Sequence, residues 1–289
     1  MNFTEKNSIR PDAARKAPSF WGIHADPSPV LRVVLAVLPF ALLLGVYLTA
    51  SYVRLQSNPS DKLTPSIGKM VSAVKHMAFT QDKRTGRYLM VHDTISSLKR
   101  LFVGLGAASV VGLFLGMHVA ALPGFRATLS PIITFLSIIP PLSILPILFI
   151  AFGVDELGKI MLIFLGSLFV ITRNIAEETQ KIPEEQIVKA LTLGASQVQV
   201  LFEILLPQIL PCLLVAIRLC LGAAWLFLIA AEAIASTDGL GYRIFLVRRY
   251  LAMDVIVPYV LWITMLGYCM DALLRLTLRW KYPWYASSK

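Results

Sequence analysis

Few residues in this sequence stand in an arrangement that enzymes use for chemistry. Residues 153–159 read GVDELGK and match GxxxxGK, the start of a nucleotide-binding phosphate loop. Ile160 takes the place of the Ser or Thr that would reach Mg²⁺, and Asp155 and Glu156 would repel phosphate. We therefore interpret the stretch as a short loop between two apolar segments, and we expect the chain to have no ATP site of its own.

Metal sites and catalytic triads are not predicted either. The four histidines show no metal-binding spacing such as HExxH, and the three cysteines lie in apolar runs without a CxxC pair. No set of Ser, His and carboxylate stands in a recognisable catalytic context. We expect no bound metal or cofactor and no catalytic residue.

Two charged residues lie in or beside the apolar run 204–231. Arg218 is surrounded by apolar residues, and a charge at such depth is costly and normally faces a partner or a water-filled cavity. Glu232 follows 14 residues later on nearly the same helix face, about 21 Å along the axis, so the two cannot pair. Arg218 is therefore a gate residue or an attractor for an anionic solute, or it makes a structural ion pair or carbonyl contact with another helix, for which Asp271 is one possible partner.

The composition is typical of a membrane protein. Of the 289 residues 56% are apolar and only 15% are charged, compared with about 25% in soluble domains. The net charge of +10 does not predict nucleic-acid binding, because the basic residues flank apolar segments instead of forming one patch. We predict an all-α polytopic membrane protein.

Six apolar segments are predicted to cross the bilayer. They are residues 33–51, 101–125, 127–154, 160–172, 204–231 and 255–270. The third contains Pro131, Pro140, Pro141 and Pro146, which predicts a kinked or interrupted helix, either lining a path or merely structural. The fourth is too short unless its helix continues past Arg173, with Lys159 and Arg173 snorkelling towards the two interfaces.

These segments imply the following organisation. We predict a flexible tail over 1–29, a first transmembrane helix over 30–53, an extracytoplasmic connection over 54–94, a core over 95–280 and a short tail over 281–289. Helical character from His92 to Arg100 is expected to run into the second span. Gly112 and Gly116 form a GxxxG pair, which we interpret as ordinary close helix packing.

Basic residues give the orientation. With both tails and the loop 182–207 inside, 13 basic residues lie on each side. The rule that basic residues stay in the cytoplasm concerns short loops, and without the nine in 54–100 the balance is 13 to 4. Both termini and the loop are therefore predicted to be cytoplasmic.

The loop 182–207 has the sequence pattern of two short helices separated by a glycine. Pro183, Glu184 and Glu185 are typical of a helix start. Small or apolar residues then recur at helical spacing, and the last of them is a glycine that can end the helix. This stripe consists of Ile187, Ala190, Leu191 and Gly194. A second helical run over 196–206 leads to Pro207, so the loop reads as a docking element for a soluble partner.

The same loop resembles the cytoplasmic EAA loop of binding-protein-dependent ABC importer permeases. That pattern is EAA, three residues, Gly, nine residues and I-x-L-P. Val188, Lys189 and Ala190 occupy the triplet, of which only the last Ala is kept, and Gly194 occupies the glycine. The ending is formed by Ile204, Leu205, Leu206 and Pro207. Other stretches are similar to the nitrate, sulfonate, taurine and bicarbonate class, namely those around Pro140, Phe152, Arg218, Trp225, Glu232 and Gly239.

The resemblance implies a type I ABC importer permease in the bacterial inner membrane. Two permease copies, as a homodimer, would form the pathway, and a periplasmic binding protein would deliver a small anion such as a sulfonate, taurine, nitrate or bicarbonate. A cytoplasmic ATPase dimer would bind ATP and Mg²⁺ and receive the loop. The coupling residues would be Val188, Lys189, Ala190, Leu191, Gly194, Ile204, Leu206 and Pro207, and the pathway or gate residues would be Pro140, Pro141, Pro146, Arg218, Trp225 and Glu232.

One alternative stays open at this point. A secondary transporter coupled to an ion gradient would use ionisable residues at mid-membrane and inverted repeats with broken helices. The proline-rich third span and Arg218 are compatible with it, but no second half of the sequence matches the first.

Overall fold

A computed structural model describes residues 27–58, 61–82 and 86–287, and its regular elements are all helical. The helices are α1 (Pro29–Ser57), α2 (Ile67–Phe79), α3 (Leu89–Ala121), α4 (Pro123–Ile138), α5 (Leu145–Phe152), α6 (Glu156–Gln180), α7 (Glu184–Thr192), α8 (Gln197–Gln199), α9 (Leu206–Ala235), α10 (Leu240–Arg248), α11 (Met253–Lys281) and α12 (Pro283–Ser287). A 3₁₀ turn (Pro141–Ile144) precedes α5, and a π-helical turn (Val200–Leu205) precedes α9. Among the described residues the only extended pairing is one isolated bridge between Gln81 and Tyr88, so the predicted all-α class is confirmed.

The chain divides into two compact units, residues 1–66 and 67–289. In the first unit, α1 follows Ser28, whose hydroxyl accepts from the Leu31 amide, and it exposes apolar side chains along its length. Tyr47 and Ser51 donate hydrogen bonds to the carbonyls of Pro65 and Thr64, at 2.6 and 3.0 Å, which fold the segment after α1 back onto it. An exposed apolar helix of this length suits a lipid-facing span.

The second unit is built on α3, α6 and α9, which carry most of its fully buried side chains. Small residues let α3 and α6 approach closely: a Cβ atom added to Gly104 or Gly116 would lie 2.8 or 2.7 Å from the Cβ of Ile163 or Ile175. Gly112 meets Ile171 in the same way, at 2.9 Å from a methyl group. The predicted packing role of the GxxxG pair is confirmed, because small residues are what close helix packing in a membrane requires.

In the part of the chain that the structure describes, five helices are long and apolar enough to span a membrane, and α4 with the segment Pro141–Phe152 gives a sixth if this bent pair is one span. The two parts of that pair meet at 86°, next to Pro140 and Pro141. The predicted interruption of the third span is therefore confirmed, since Pro lacks the amide hydrogen and its ring collides with the preceding turn.

Three details differ from the prediction. α3 ends at Ala121 instead of running to 125, because Pro123 starts a new helix. The helix of the last predicted span, α11, continues to Lys281, so the basic segment after 270 is helical. α6 does continue past Arg173, but Lys159 does not snorkel: it is buried and bonded to Glu156 and Ser236 at 3.1 and 3.2 Å.

The α3–α6 contact predicts opposite effects for two Gly→Ala changes in one helix. Gly106 has no atom within 4 Å of an added Cβ, so Gly106→Ala should be neutral or stabilise by up to about 1 kcal/mol through helix propensity. Gly116→Ala should destabilise by about 1–3 kcal/mol, since the added carbon overlaps Ile175 and the Thr172 carbonyl. Unfolding midpoints in mixed micelles measure both. Equal stability of the two variants would contradict the packing described here.

Candidate functional site

A buried ionic network joins one end of α3, α6 and α9. Arg100, only 2% exposed, donates from Nη1 to Glu232 at 2.7 Å and from Nε and Nη2 to Glu156 at 2.7 and 2.6 Å. Nη1 also donates to the Asp238 carbonyl at 3.1 Å, and Nη2 donates to the Asp238 carboxylate. A guanidinium surrounded by three carboxylates is well compensated, so Arg100 is a joint between helices and not a free cation.

Glu232 is held from several sides. The Ser97 hydroxyl donates to its two oxygens at 2.8 and 3.0 Å, and the Gly241 amide donates at 2.8 Å. Gly239 has φ +112°, and a Cβ there would lie 2.5 Å from the Glu232 carboxylate, so only glycine fits. The loop after α9 is therefore shaped around this carboxylate.

A second set of bonds extends the network to α10 and α11. Asp93, fully buried on α3, accepts from Arg243 Nε at 2.8 Å and from the Gly239 amide at 3.2 Å. Tyr259 of α11 donates its hydroxyl to Asp93 at 3.4 Å. These contacts unite five helices at the end of the bundle opposite the loop 182–207, since α6 starts in the network and ends beside that loop.

The sequence prediction included Glu232 but missed its partners. We expected Glu232 along a pathway, and the structure places it inside the network with no exposed surface. Arg100, Glu156, Asp93 and Arg243 were not singled out as site residues. The signal available in the sequence was the position of charged residues beside apolar runs. Arg100 and Lys159 directly precede uncharged runs, and Glu232 directly follows one.

The Asp238 carboxyl lies outside the spans, and its surroundings lower its pKa. Burial acts to raise the pKa of Asp238, but the hydrogen bond and positive charge of Arg100 and the hydrogen bond from Ser96 together lower it below the usual value. The ionised form is therefore the one that the folded protein stabilises.

Arg218 pairs with α11. Its Nε donates to Asp271 at 2.7 Å, which confirms the predicted partner, and Nη2 of Arg275 forms a salt bridge with the other oxygen of Asp271 at 2.9 Å. Trp225 lies two turns further along α9, buried, with its indole nitrogen without a hydrogen-bond acceptor among the described residues. Arg218, Trp225 and Glu232 follow one another at seven-residue steps and so share one face of α9.

The prolines of the broken span differ in their surroundings. Pro141 lines a cavity of about 360 Å³ together with Leu136, Gly166, Phe169 and Phe227, and its wall is mainly apolar. Pro140 and Pro146 are exposed. The break thus borders an opening between α4, α6 and α9.

The GxxxxGK stretch forms the turn into α6. Gly153 ends α5 with φ +82°, and Lys159 is bonded inside the network instead of facing a loop of free amides. No strand precedes it among the described residues, so the geometry of a phosphate loop is missing there.

The loop 182–207 contains α7, a glycine turn and the start of the long ninth helix. Pro183 precedes α7, and Gly194 ends it with φ +87° and an open surrounding, as predicted for a helix-ending glycine. Ser196 and Gln199 then form a capping box that starts the next helical run. The run passes through the π turn over 200–205, in which an extra residue per turn makes room for the Pro207 ring.

The outward face of α7 differs from the predicted stripe. Ile187 and Ala190 are partly buried and pack against the chain's own core. The large exposed apolar side chains of the loop are Val188, Leu191, Leu193, Val198 and Phe202. Lys189 and Pro207 are also exposed, whereas Ile204 and Leu206 are partly buried. A helix that anchors one apolar side on its own protein and exposes another is suited to bind a partner.

Comparison with known proteins gives consistent matches. The model of the family described as binding-protein-dependent transport system inner membrane component matches residues 108–280. The taurine transport system permease protein TauC of Escherichia coli is 35% identical over 190 residues, which is 66% of this chain and 69% of that protein. The putative aliphatic sulfonates transport permease protein SsuC of Escherichia coli is 30% identical over 257 residues, or 88% and 95% of the two chains.

Two further proteins widen the comparison. The bicarbonate transport system permease protein CmpB of Synechococcus elongatus is 31% identical over 189 residues, covering 65% of this chain and 68% of that protein. Among solved structures, the inward-facing MetNI methionine ABC transporter contains a chain that matches with a TM-score of 0.54 and 22% identity, covering 68% of this chain and 98% of the other. At that identity the structural match supports the fold.

The network predicts that substitution of one arginine lowers the stability of the fold strongly and that substitution of another lowers it little. Arg100→Met leaves buried carboxylates unpaired and should destabilise by about 3–5 kcal/mol. Arg173→Met removes an exposed i,i+4 pair with Glu177 and should cost less than about 1 kcal/mol. Chemical unfolding in micelles compares the two, and a similar loss in both would contradict the role of Arg100 as a joint.

The lowered pKa of Asp238 predicts a pH effect with a defined sign. A carboxyl whose pKa is lower in the folded protein contributes stability above the unfolded pKa of about 3.9, and the contribution disappears as pH falls through the folded pKa. Wild type should therefore exceed Asp238→Asn in thermal stability at pH 7, and the gap should shrink at acidic pH. A gap that is independent of pH from 7 down to 3 would show that the Asp238 charge does not act this way.

Proposed function

This chain belongs to the family of binding-protein-dependent transport system inner membrane components, and we propose that it forms the membrane pathway of an ATP-driven importer for a small anion. The family membership and the helices that can cross a membrane make it a multi-pass inner-membrane permease. Family membership also favours an ATP-driven importer over the ion-gradient-coupled transporter that the sequence left open. The remaining statements concern its partners, solute and orientation.

The observation that carries the proposal is the exposed apolar face of α7. Leu191 is 46% exposed, and Val188 and Leu193 beside it are also exposed, on a helix held outside the apolar spans. The loop has the glycine and the I-x-L-P ending of the EAA pattern at the expected spacing. We infer that this face binds a cleft of a cytoplasmic ATPase, in the helix-in-groove mode.

The connections of α7 suggest how motion would be transmitted. α6 leads into the loop and α9 leads out of it, and the opposite ends of both helices are bonded to Arg100. When two ATPase subunits bind ATP and Mg²⁺ and close, α7 would move with them, and α6 and α9 would follow together. A second copy of this chain completes the pathway in our proposal, as a homodimer, and ATP hydrolysis takes place on the partner.

The anion class has two supports. The names of three relatives mention taurine, aliphatic sulfonates and bicarbonate, solutes that carry a sulfonate or an oxyanion group. Arg218 and Arg275 also bring two positive charges to one carboxylate within the spans. A periplasmic binding protein would deliver the solute from the side of the Arg100 network, with both termini and the loop in the cytoplasm, as the balance of basic residues indicates.

Substituting the exposed face of α7 tests the docking role. Leu191→Glu places a charge where we expect an apolar contact, so co-purification with the cognate ATPase should fall at least tenfold, the equivalent of about 1.4 kcal/mol. ATP-dependent uptake in proteoliposomes should fall with it. Val71→Glu is the matched control, because Val71 is 48% exposed on α2 and outside the loop.

The control separates docking from general damage. Val71→Glu should bind the ATPase as wild type does. If Leu191→Glu also retains wild-type binding and uptake, α7 does not form the contact, and the ATPase must bind elsewhere.

A further inference from the structure

Two arginines share one carboxylate inside the spans. Asp271 accepts a hydrogen bond from Arg218 at one oxygen, at 2.7 Å, and its other oxygen forms a salt bridge with Arg275 at 2.9 Å. The three side chains therefore carry a net charge of +1. In contrast to Arg100, which meets three carboxylates, this cluster lacks one negative charge.

Hydrogen-bond donors on the same face also lack acceptors. Arg218 donates only from Nε, and no described residue accepts from its Nη1 or Nη2. The Trp225 indole is only 6% exposed, and its N–H is unpaired among the described residues. That indole nitrogen lies beside Gly267 of α11, where an added Cβ would be 3.6 Å away. Unpaired donors within an apolar span are costly, which points to an acceptor that comes from outside this chain.

Depth excludes a lipid headgroup as that acceptor. Arg218 lies 12 residues after the start of α9 at Leu206, about 18 Å along the axis, and Asp271 lies 10 residues before the end of α11 at Lys281, about 15 Å. Arg218 lies at the middle of the apolar run 204–231 and is therefore deep in the bilayer, whereas Asp271 and Arg275 follow the apolar run 255–270 and lie nearer one surface. Lipid phosphates lie at the surface and do not reach the level of Arg218.

A second copy of the chain does not bring the missing charge either. Apart from Asp271, the carboxylates on the described spanning helices are bonded in the Arg100 network or lie near a helix end, and they are Asp93, Glu156, Glu177, Glu178, Glu203, Glu232 and Asp254. None of them is at the level of Arg218. A small anion fits this remaining need for a negative charge.

We propose that Arg218 and Arg275 bind the anionic group of the transported solute inside the helix bundle, an inference that rests on the proposed importer function. Arg218 is 26% exposed and Arg275 is 42% exposed, which leaves their free N–H groups open to a solute. Guanidinium groups match the oxygens of sulfonate, carboxylate and bicarbonate by paired hydrogen bonds. Asp271 positions both arginines and weakens their hold on the anion, which a transport site needs for release.

The test uses the complete importer in proteoliposomes, with the ATPase and the cognate binding protein. Labelled taurine, ethanesulfonate and bicarbonate are the probes, and uptake is measured at saturating binding protein. Arg218→Gln should reduce uptake at least tenfold while still co-purifying with the ATPase, and Arg218→Lys should recover part of the loss. Asp271→Asn should lose less than threefold, because it removes the carboxylate that competes with the anion. Arg279→Gln, an exposed arginine near the end of α11, is the control.

A purely structural ion pair predicts a different pattern. Arg218→Gln and Asp271→Asn would then lose uptake equally, and the apolar double variant Arg218→Met with Asp271→Leu would restore it, which would overturn the inference. The double variant should instead assemble and remain defective; it also serves if Arg218→Gln does not fold. A wild-type complex that binds the ATPase but transports none of the probes would overturn the anion site and the proposed anion class, and would leave the ATPase docking in place. Failure to bind the ATPase would contradict the proposed function itself.

Discussion

The buried Arg100 ion network is the constraint on which the other features of this protein depend. One guanidinium on α3 binds Glu156 at the start of α6, Glu232 at the end of α9 and Asp238 in the following loop. Removing one partner of a buried ion pair leaves an uncompensated charge and costs several kcal/mol. The ends of these helices therefore do not separate without disrupting the fold, and they move together.

Because of this constraint, a movement of the loop 182–207 would be transmitted to the far ends of α6 and α9. It connects the far ends of the two helices that Arg100 joins, and close packing of glycines on α3 against isoleucines on α6 stiffens the bundle along its length. A displacement of α7 would thus reach the opposite end of α6 and α9 as a rigid-body motion. The proline break before α5 borders a mainly apolar opening of about 360 Å³ beside this body.

Sequence reasoning reached the parts with local signals. Apolar run lengths predicted the spans, clustered prolines predicted the broken helix, and Gly194 and Pro207 marked the loop. It missed the network because Arg100 and Glu232 are 132 residues apart, and nothing local shows that they meet. Lys159 was assigned to an interface for the same reason, although its partners include Ser236, 77 residues away. Periodicity also found the apolar stripe of α7 but could not tell that Ile187 and Ala190 face the core while Val188 is exposed.

The most direct test of this account is hydrogen–deuterium exchange of the chain in lipid nanodiscs, measured alone and with the ATPase subunits bound. Amides of α7 should exchange more slowly in the complex, because their exposed face becomes covered. Amides of 93–100 and 236–243 should exchange slowly in both states, since the network holds them. If α7 exchange is unchanged on binding, or if the network segments exchange as fast as exposed helix ends, α6 and α9 are not a rigid lever driven from α7.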